Sequence, residues 1–386
     1  GRKRWLMSDY VRQMPHGSND LARPPSAAAR FHIDIPLLSL LVTLTVLGLV
    51  VLYSGAGSDS GAVLRQGRYF LLGYVVMIVA AQIRLAQYMR WAPWFYLIGV
   101  GLLVAVIFVG VGAKGAQRWL SLGGFRFQPS EILKLVVPMT VAWFLADRIL
   151  PPRFRYILGS LVIIGIPAAL ILKQPDLGTA LLIAASGKYV VLMAGIGWRK
   201  NYGAVELAGA SMWPAWVFVL TDYQKQRILT LLNPESDKLG AGWNIIQSKT
   251  AIGSGGWAGK GWTQGTQSQL DFLPESHTDF IIAVLAEEFG LRGVLLLLSL
   301  YILILLRGFW IGLRAQTSYG RMLAGSLTLT FFVYIFVNMG MVAGLLPVVG
   351  VPLPLVSAGG TSVVTLMAGF GLLMAVATER RSVGTG

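Results

Sequence analysis

Ten stretches, each of about twenty mostly apolar residues, set the main constraint on this chain. They fall near 35–54, 68–84, 91–112, 129–147, 155–172, 178–196, 202–220, 279–306, 321–346 and 359–378. In a hydrocarbon core every backbone N–H and C=O needs an internal partner, so runs of this length fold as helices. The expected fold is an all-α polytopic membrane protein with about ten transmembrane helices. The fourth run carries Glu131 and Lys134, and the sixth carries Lys188. A composition 55% hydrophobic and 13% charged, with mean hydropathy +0.65, lies outside the soluble globular range.

The formal net charge of +15 does not call for nucleic acid. No nucleic-acid module is visible, and lysine and arginine in short loops are what sets membrane topology. With an inner N-terminus, the short inner connections carry Arg84 and Arg90; Arg148, Arg153 and Arg155; Arg199 and Lys200; Arg307, Arg314 and Arg321; then Arg380 and Arg381. An even number of spans returns the C-terminus to the same side. The first apolar run exceeds a signal-peptide core and reads as an uncleaved anchor. Absent cysteine excludes disulfides and thiolate metal sites. Three scattered histidines make no zinc cluster. No phosphate-binding Gly-Lys loop motif is present, which argues against ATP-driven transport by this chain alone.

The outer face then receives nearly all the unusual polar residues. Residues 221–278 form its one long loop, lying between spans seven and eight. In GAKGAQRWLSLGGFRFQPSEILKL, residues 112–135, Lys114, Arg118 and Arg126 are cations around Trp119, and Pro129 suits a first helical turn. Glu131 falls in that turn, where the helix dipole favours an anion. Lys134 follows one turn later on the same face. Two readings stand: a structural ion pair, or a polar cavity that receives an anion. In KQPDLGTA, residues 173–180, Asp176 is either a helix cap or a carboxylate facing Lys134 across a cavity.

In GTQSQLDFLPESHTDFIIAVLAEEFG, residues 265–290, Thr278 is expected to cap the eighth helix, with Asp279 in its first turn. Asp279, Ala283, Ala286 and Glu287 would share one face, leaving room for a groove or a neighbouring helix. His277 reads as a surface hydrogen-bonding group. The Gly-rich stretch 245–262 reads as turns, which either cradle phosphate through their N–H groups beside Lys249 and Lys260 or serve only as turns. Trp243, Trp257 and Trp262 either stack on sugars or anchor at the interface. In LPVVGVPLPLVSAGGTSV, residues 346–363, prolines interrupt an apolar run before Ser357, Gly359 and Gly360. Irregular backbone at that depth needs protein or a cavity around it. Cations and carboxylates on one face suit a lipid-linked phosphate or a transported amphiphile alike.

Residues 114–134, 174–180, 265–281 and 347–362 together resemble the SEDS family (shape, elongation, division, sporulation). The resemblance covers essentially residues 33–380, with 1–32 as a cytoplasmic basic segment and 381–386 as a cytoplasmic tail. The GTQSQ stretch resembles the rod-shape-determining branch more than the division branch. The resemblance implies an inverting peptidoglycan glycosyltransferase of the bacterial cytoplasmic membrane, with a periplasmic active site. It would polymerise lipid II during cell elongation and release undecaprenyl pyrophosphate. It implies a class B penicillin-binding protein as transpeptidase partner, contact with membrane lipid, and no nucleic acid.

By the same resemblance Asp279 is the catalytic carboxylate, acting as general base or as ligand of a divalent cation, magnesium or manganese; no organic cofactor is implied. Substrate binding falls to Lys114, Arg118, Trp119, Gln128, Ser130, Glu131, Lys134, Asp176, Lys249, Gln267, Glu275, His277, Ser357, Gly359 and Gly360. The family usually has Ser-Tyr-Gly-Gly where this chain has Ser357-Ala358-Gly359-Gly360, which puts one tyrosine contact in doubt. Two other functions compete: a flippase for the lipid-linked precursor, and a non-catalytic scaffold that activates the transpeptidase.

Overall fold

The structure is a computed structural model. It describes residues 31–113, 116–122, 125–196, 220, 222–236, 241–266 and 276–379, with Trp213 and Val217 between them. Eleven α-helices are described: α1 Ile35–Gly55, α2 Ser60–Gln82, α3 Leu85–Val109, α4 Pro129–Ala146, α5 Phe154–Lys173, α6 Leu177–Met193, α7 Asp222–Leu232, α8 Ala241–Gly255, α9 Ile281–Arg314, α10 Ser318–Val342 and α11 Gly360–Ala377. Eight of them are long and apolar enough to cross a membrane, and α6 is a shorter apolar helix. Nine expected spans therefore have a described helix; the remaining one, the seventh at 202–220, lies almost wholly outside the described residues. The all-α polytopic fold holds. An added feature is a small antiparallel sheet of β1 Val111–Ala113, β2 Ala116–Leu122 and β3 Phe125–Phe127, in that order.

Helix ends differ from expectation where caps override hydropathy. Asp59 accepts from the N–H groups of Gly61 and Ala62, so α2 starts at Ser60 and absorbs most of the expected 55–67 loop. Asp34 caps α1 in the same way, through Leu37 N–H. Lys188 is exposed on α6, where a long stem can carry its charge outward.

The long helix α9 is two helices joined at Gly290, whose φ of 67° and ψ of −162° are non-helical. The break frees backbone groups that residues 255–262 satisfy. Lys260 and Gly261 N–H donate to the Glu287 and Glu288 carbonyls, and Leu291 N–H donates to Gly256 O. The approach is close: a Cβ on Gly255 would lie 2.0 Å from Ala286 O. This corrects the expectation of turns throughout 245–262. That stretch is helical to Gly255, and Gly255 and Gly259 serve backbone-to-backbone packing.

At one end of the bundle the connections are short and closed. Arg307 pairs with Asp34 at 2.6 Å, His32 meets Thr378 at 3.0 Å, and Arg307 and Arg314 both lie over Trp310. Arg84, Arg148, Arg153 and Arg321 belong to this end too, at or beside the termini of α3, α4, α5 and α10. The opposite end is irregular and holds the cavity.

Candidate active site

The N-termini of α4, α6, α9 and α11 converge on one cavity of about 810 Å³. Each helix start carries partial positive charge and unsatisfied N–H groups, so four together make a strongly anion-favouring floor. Only α6 has a side-chain cap there. Asp176 accepts from Thr179 N–H at 3.2 Å and from Thr179 Oγ1 at 2.9 Å. Gln128, Phe280 and Gly359 precede the other three helices without a capping bond.

Glu131 and Lys134 line the cavity as an ion pair at 2.6 Å, and Lys134 Nζ lies 5.4 Å from the centre of the Tyr334 ring. The two sequence readings of this pair are compatible, since it is a buried ion pair and part of a cavity wall. Asp176 is likewise both cap and wall, and Gln128 Nε2 donates to its Oδ2 at 3.3 Å. Asp279 lines the same cavity. Its position corrects the expected helix start: α9 begins at Ile281, Phe280 occupies the cap position, and Thr278 and Asp279 lie in the preceding turn. That turn is held from below. Asn338 Nδ2 donates to Asp279 O at 2.9 Å and to Val351 O at 2.8 Å, while Ser357 Oγ donates to Thr278 O at 2.6 Å.

Trp119, Gly359, Thr361 and Ser362 complete the wall beside the 347–352 loop, and Ala358 lines it where the family's tyrosine would stand. Other expected residues lie elsewhere. Ser357 is buried as a bolt between loops and borders a narrower groove beneath the cavity. Ser130 is buried in α4 outside the cavity lining. Gly360 backs onto the Tyr69 ring. His277 contributes its backbone carbonyl to Ala358 N–H at 3.0 Å. Lys249 is a correction: it is exposed on α8 and packs at Gly344, outside the cavity, because the helical path of 241–255 turns it away. Trp262, read as either a sugar-stacking or an interfacial group, is exposed outside the cavity lining, tilted against Tyr53 at 5.6 Å and donating to Val50 O. Glu287 is bound to Lys260, and Ala286 beside it meets Gly255 of α8, which is the neighbouring-helix reading of that face. Lys114, Gln267 and Glu275 fall outside the described residues, as does the side chain of Arg118.

Sequence reasoning missed four contributors. Gln224, Arg227 and Ile228 present one face of α7 to the cavity, and Arg227 Nη1 donates to Val348 O at 2.7 Å. Their i, i+3, i+4 spacing was a readable signal. Tyr334 sits in an otherwise apolar span and had no local partner to announce it.

A family model described as a cell cycle protein, FtsW/RodA/SpoVE, matches residues 35–382. The chain is 53% identical over 352 residues to the peptidoglycan glycosyltransferase MrdB of Escherichia coli K12, covering 91% of this chain and 95% of that protein. It is 37% identical over 361 residues to a probable peptidoglycan glycosyltransferase FtsW of Geobacter metallireducens, covering 90% and 95%. Among solved structures, a chain from a peptidoglycan synthase complex that coordinates polymerization and crosslinking matches with TM-score 0.79 and 31% identity, over 90% of this chain and 98% of that one. Rod shape determining protein RodA of Thermus thermophilus matches with TM-score 0.68 and 28% identity, over the same shares.

Proposed function

This chain belongs to the FtsW/RodA/SpoVE family and is a peptidoglycan glycosyltransferase, and we propose that it polymerises lipid II in the cavity that Asp279 and Lys134 share. That shared cavity, with four helix N-termini aimed into it, is the observation that carries the reading. It unites a carboxylate able to take a proton with charges suited to a leaving pyrophosphate.

In the proposed reaction Asp279 accepts the proton of the glucosaminyl 4-hydroxyl on one lipid-linked unit. The freed oxygen attacks the anomeric carbon of the growing strand from the face opposite its pyrophosphate. The new C–O bond forms as the bond to pyrophosphate breaks, with inversion. Undecaprenyl pyrophosphate leaves with the electron pair, and Lys134 and the helix N-termini stabilise its charge. Glu131 orients Lys134, and Asn338 and Ser357 fix the Asp279 turn. In the alternative role Asp279 would hold a magnesium or manganese ion, since such ions take one or two carboxylates plus phosphate oxygens, and the ion would supply charge stabilisation to the pyrophosphate.

The basic end of the bundle lies away from the cavity. By the positive-inside rule this supports cytoplasmic termini and a periplasmic active site in the cytoplasmic membrane. Likeness to a synthase complex that couples polymerization and crosslinking supports a class B penicillin-binding protein as partner, and likeness to MrdB and RodA supports a role in elongation. The test is glycan-strand formation from purified lipid II with that partner present, comparing wild type with Asp279→Asn. Polymer from wild type and none from a folded Asp279→Asn protein is expected. Undiminished polymer from the variant would remove Asp279 from the chemistry. No polymer from wild type would return the field to transport or scaffolding.

A further inference from the structure

At the basic end of the bundle, far from the cavity, the link between α4 and α5 gathers a cluster of cations. Residues 147–156, DRILPPRFRY, carry Arg148, Arg153 and Arg155 against the single carboxylate of Asp147. All three arginines are exposed, and among the described residues none of them pairs with a carboxylate. Two are nonetheless held in place. Arg148 Cζ lies 5.0 Å and Arg155 Cζ 4.8 Å from the centre of the Tyr156 ring, and Arg155 Nη2 donates to Tyr156 Oη at 2.8 Å. The ring itself is fixed from α4. It meets Phe144 edge-on at 6.2 Å, and Phe144 closes on Gly159, where a Cβ would sit 2.8 Å from its ring.

One aromatic ring thus holds two like charges together, an arrangement completed by an anion. A guanidinium can stack its face on a ring while its fork binds phosphate oxygens in pairs. The start of α5 adds to the same field. Arg153 occupies its cap position with no side-chain capping bond, so the helix end favours an anion there. The other arginine stack at this end differs. Arg307 and Arg314 lie over Trp310, but Asp34 already holds Arg307 through two bonds, at 2.6 and 3.1 Å. Charge that only sets topology needs no fixed geometry, whereas one ring fixes this pair.

The surroundings decide which anion. Ile149 and Phe154 flank the arginines and are 84% and 73% exposed. From Phe154 the exposed Leu158, Leu161 and Val162 continue along one face of α5, at helical spacing. A soluble phosphate uses none of this apolar surface. A phospholipid matches both halves, with its phosphate at the guanidiniums and an acyl chain along the stripe. The surplus of positive charge selects a lipid of net negative charge over a zwitterionic one. We infer that Arg148, Arg155 and Tyr156 form a binding site for the headgroup of an anionic phospholipid, in the leaflet at the basic end of the bundle. The bound lipid bridges the ends of α4 and α5 that meet at the ring.

The test places the full chain in nanodiscs of phosphatidylcholine with increasing phosphatidylglycerol. A photoreactive residue at Ile149 captures lipid bound beside the ring, and the phosphatidylglycerol fraction giving half-maximal capture is read. Arg148→Gln with Arg155→Gln should raise it about thirtyfold, the worth of two basic charges near an anionic surface. Tyr156→Leu keeps every charge and should raise it about fivefold, the worth of two exposed cation–π contacts. Tyr156→Phe keeps the ring and should shift it less. Arg84→Gln with Arg321→Gln removes the same charge from the same end and should leave it unchanged. Equal shifts from the two arginine pairs would overturn the site in favour of diffuse attraction, as would a wild-type response in folded Tyr156→Leu. If that variant fails to fold, the exposed arginine pairs still decide. Inorganic phosphate at constant ionic strength should not displace the lipid; displacement would overturn the lipid assignment and make the ligand a free phosphate.

Discussion

Among the described residues two lysine–glutamate pairs of equal length have surroundings that give them opposite jobs. Glu131–Lys134 and Lys260–Glu287 are both 2.6 Å apart. The first faces the cavity, beside Tyr334 and at the start of α4. In the second the carboxylate is closed off, although Lys260 itself is half-buried. Glu287 is fully buried, and the same Oε1 that pairs with Lys260 also accepts from Thr266 N–H at 2.8 Å and Thr266 Oγ1 at 3.0 Å. It belongs to the clamp over the Gly290 break. Next to it Glu288 is bound by Ser54 Oγ and by the backbone of Thr263 and Gly265. A charge pair is a site when its environment leaves a face open for a third charge, and a rivet when backbone groups occupy that face.

Neutralising each pair breaks the comparison if it is wrong. Glu131→Gln with Lys134→Met should lower polymerisation by about 10²–10³-fold, the usual effect of removing preorganised charge stabilisation, with little change in Tm. Lys260→Met alone leaves Glu287 buried without its counter-charge. It should cost about 3–5 kcal/mol, read as a large fall in Tm, while kcat measured well below that Tm stays close to wild type. Equal activity losses from both would erase the distinction.

The reasons one pair was legible and the other was not are physical. Glu131 and Lys134 are three residues apart, so helix geometry alone brings them together. Lys260 and Glu287 lie 27 residues apart and meet only through the clamp. The spans were visible because a bilayer demands apolar length. The helix at 241–255 was hidden because Gly255, in close contact with Ala286, looks like a turn former. The β2–β3 hairpin did leave a signal in Gly123-Gly124 between alternating residues. Asn338 was simply an amide in an apolar run, and its meaning depends on Asp279, 59 residues away.

That amide gives the next prediction. Asn338→Leu removes both donors that pin the Asp279 and Val351 carbonyls. The Asp279 carboxylate remains, but its turn loosens. Loss of one such buried bond costs about 1–3 kcal/mol, so kcat should fall roughly tenfold or more with KM for lipid II nearly unchanged. Asn338→Asp, which keeps the shape but loses the donors, should behave like the leucine variant. A pure stability defect would lower Tm in both yet spare kcat, and that result would detach Asn338 from the site.

The smallest effect belongs to Arg65–Asp59, at the start of α2. These groups are 3.5 Å apart and both well exposed, at 67% and 51%. Exposed pairs contribute about 0–1 kcal/mol, and Asp59 keeps its helix-capping bonds without Arg65. Arg65→Ala should therefore leave Tm and polymerisation within error of wild type, whereas Asp59→Ala should cost about 1 kcal/mol through the lost cap. If Arg65→Ala instead impaired activity, charge at the rim would matter as well as charge in the wall. The contrast between open and riveted pairs would then need a third class: a surface cation that acts on substrate before it reaches the cavity.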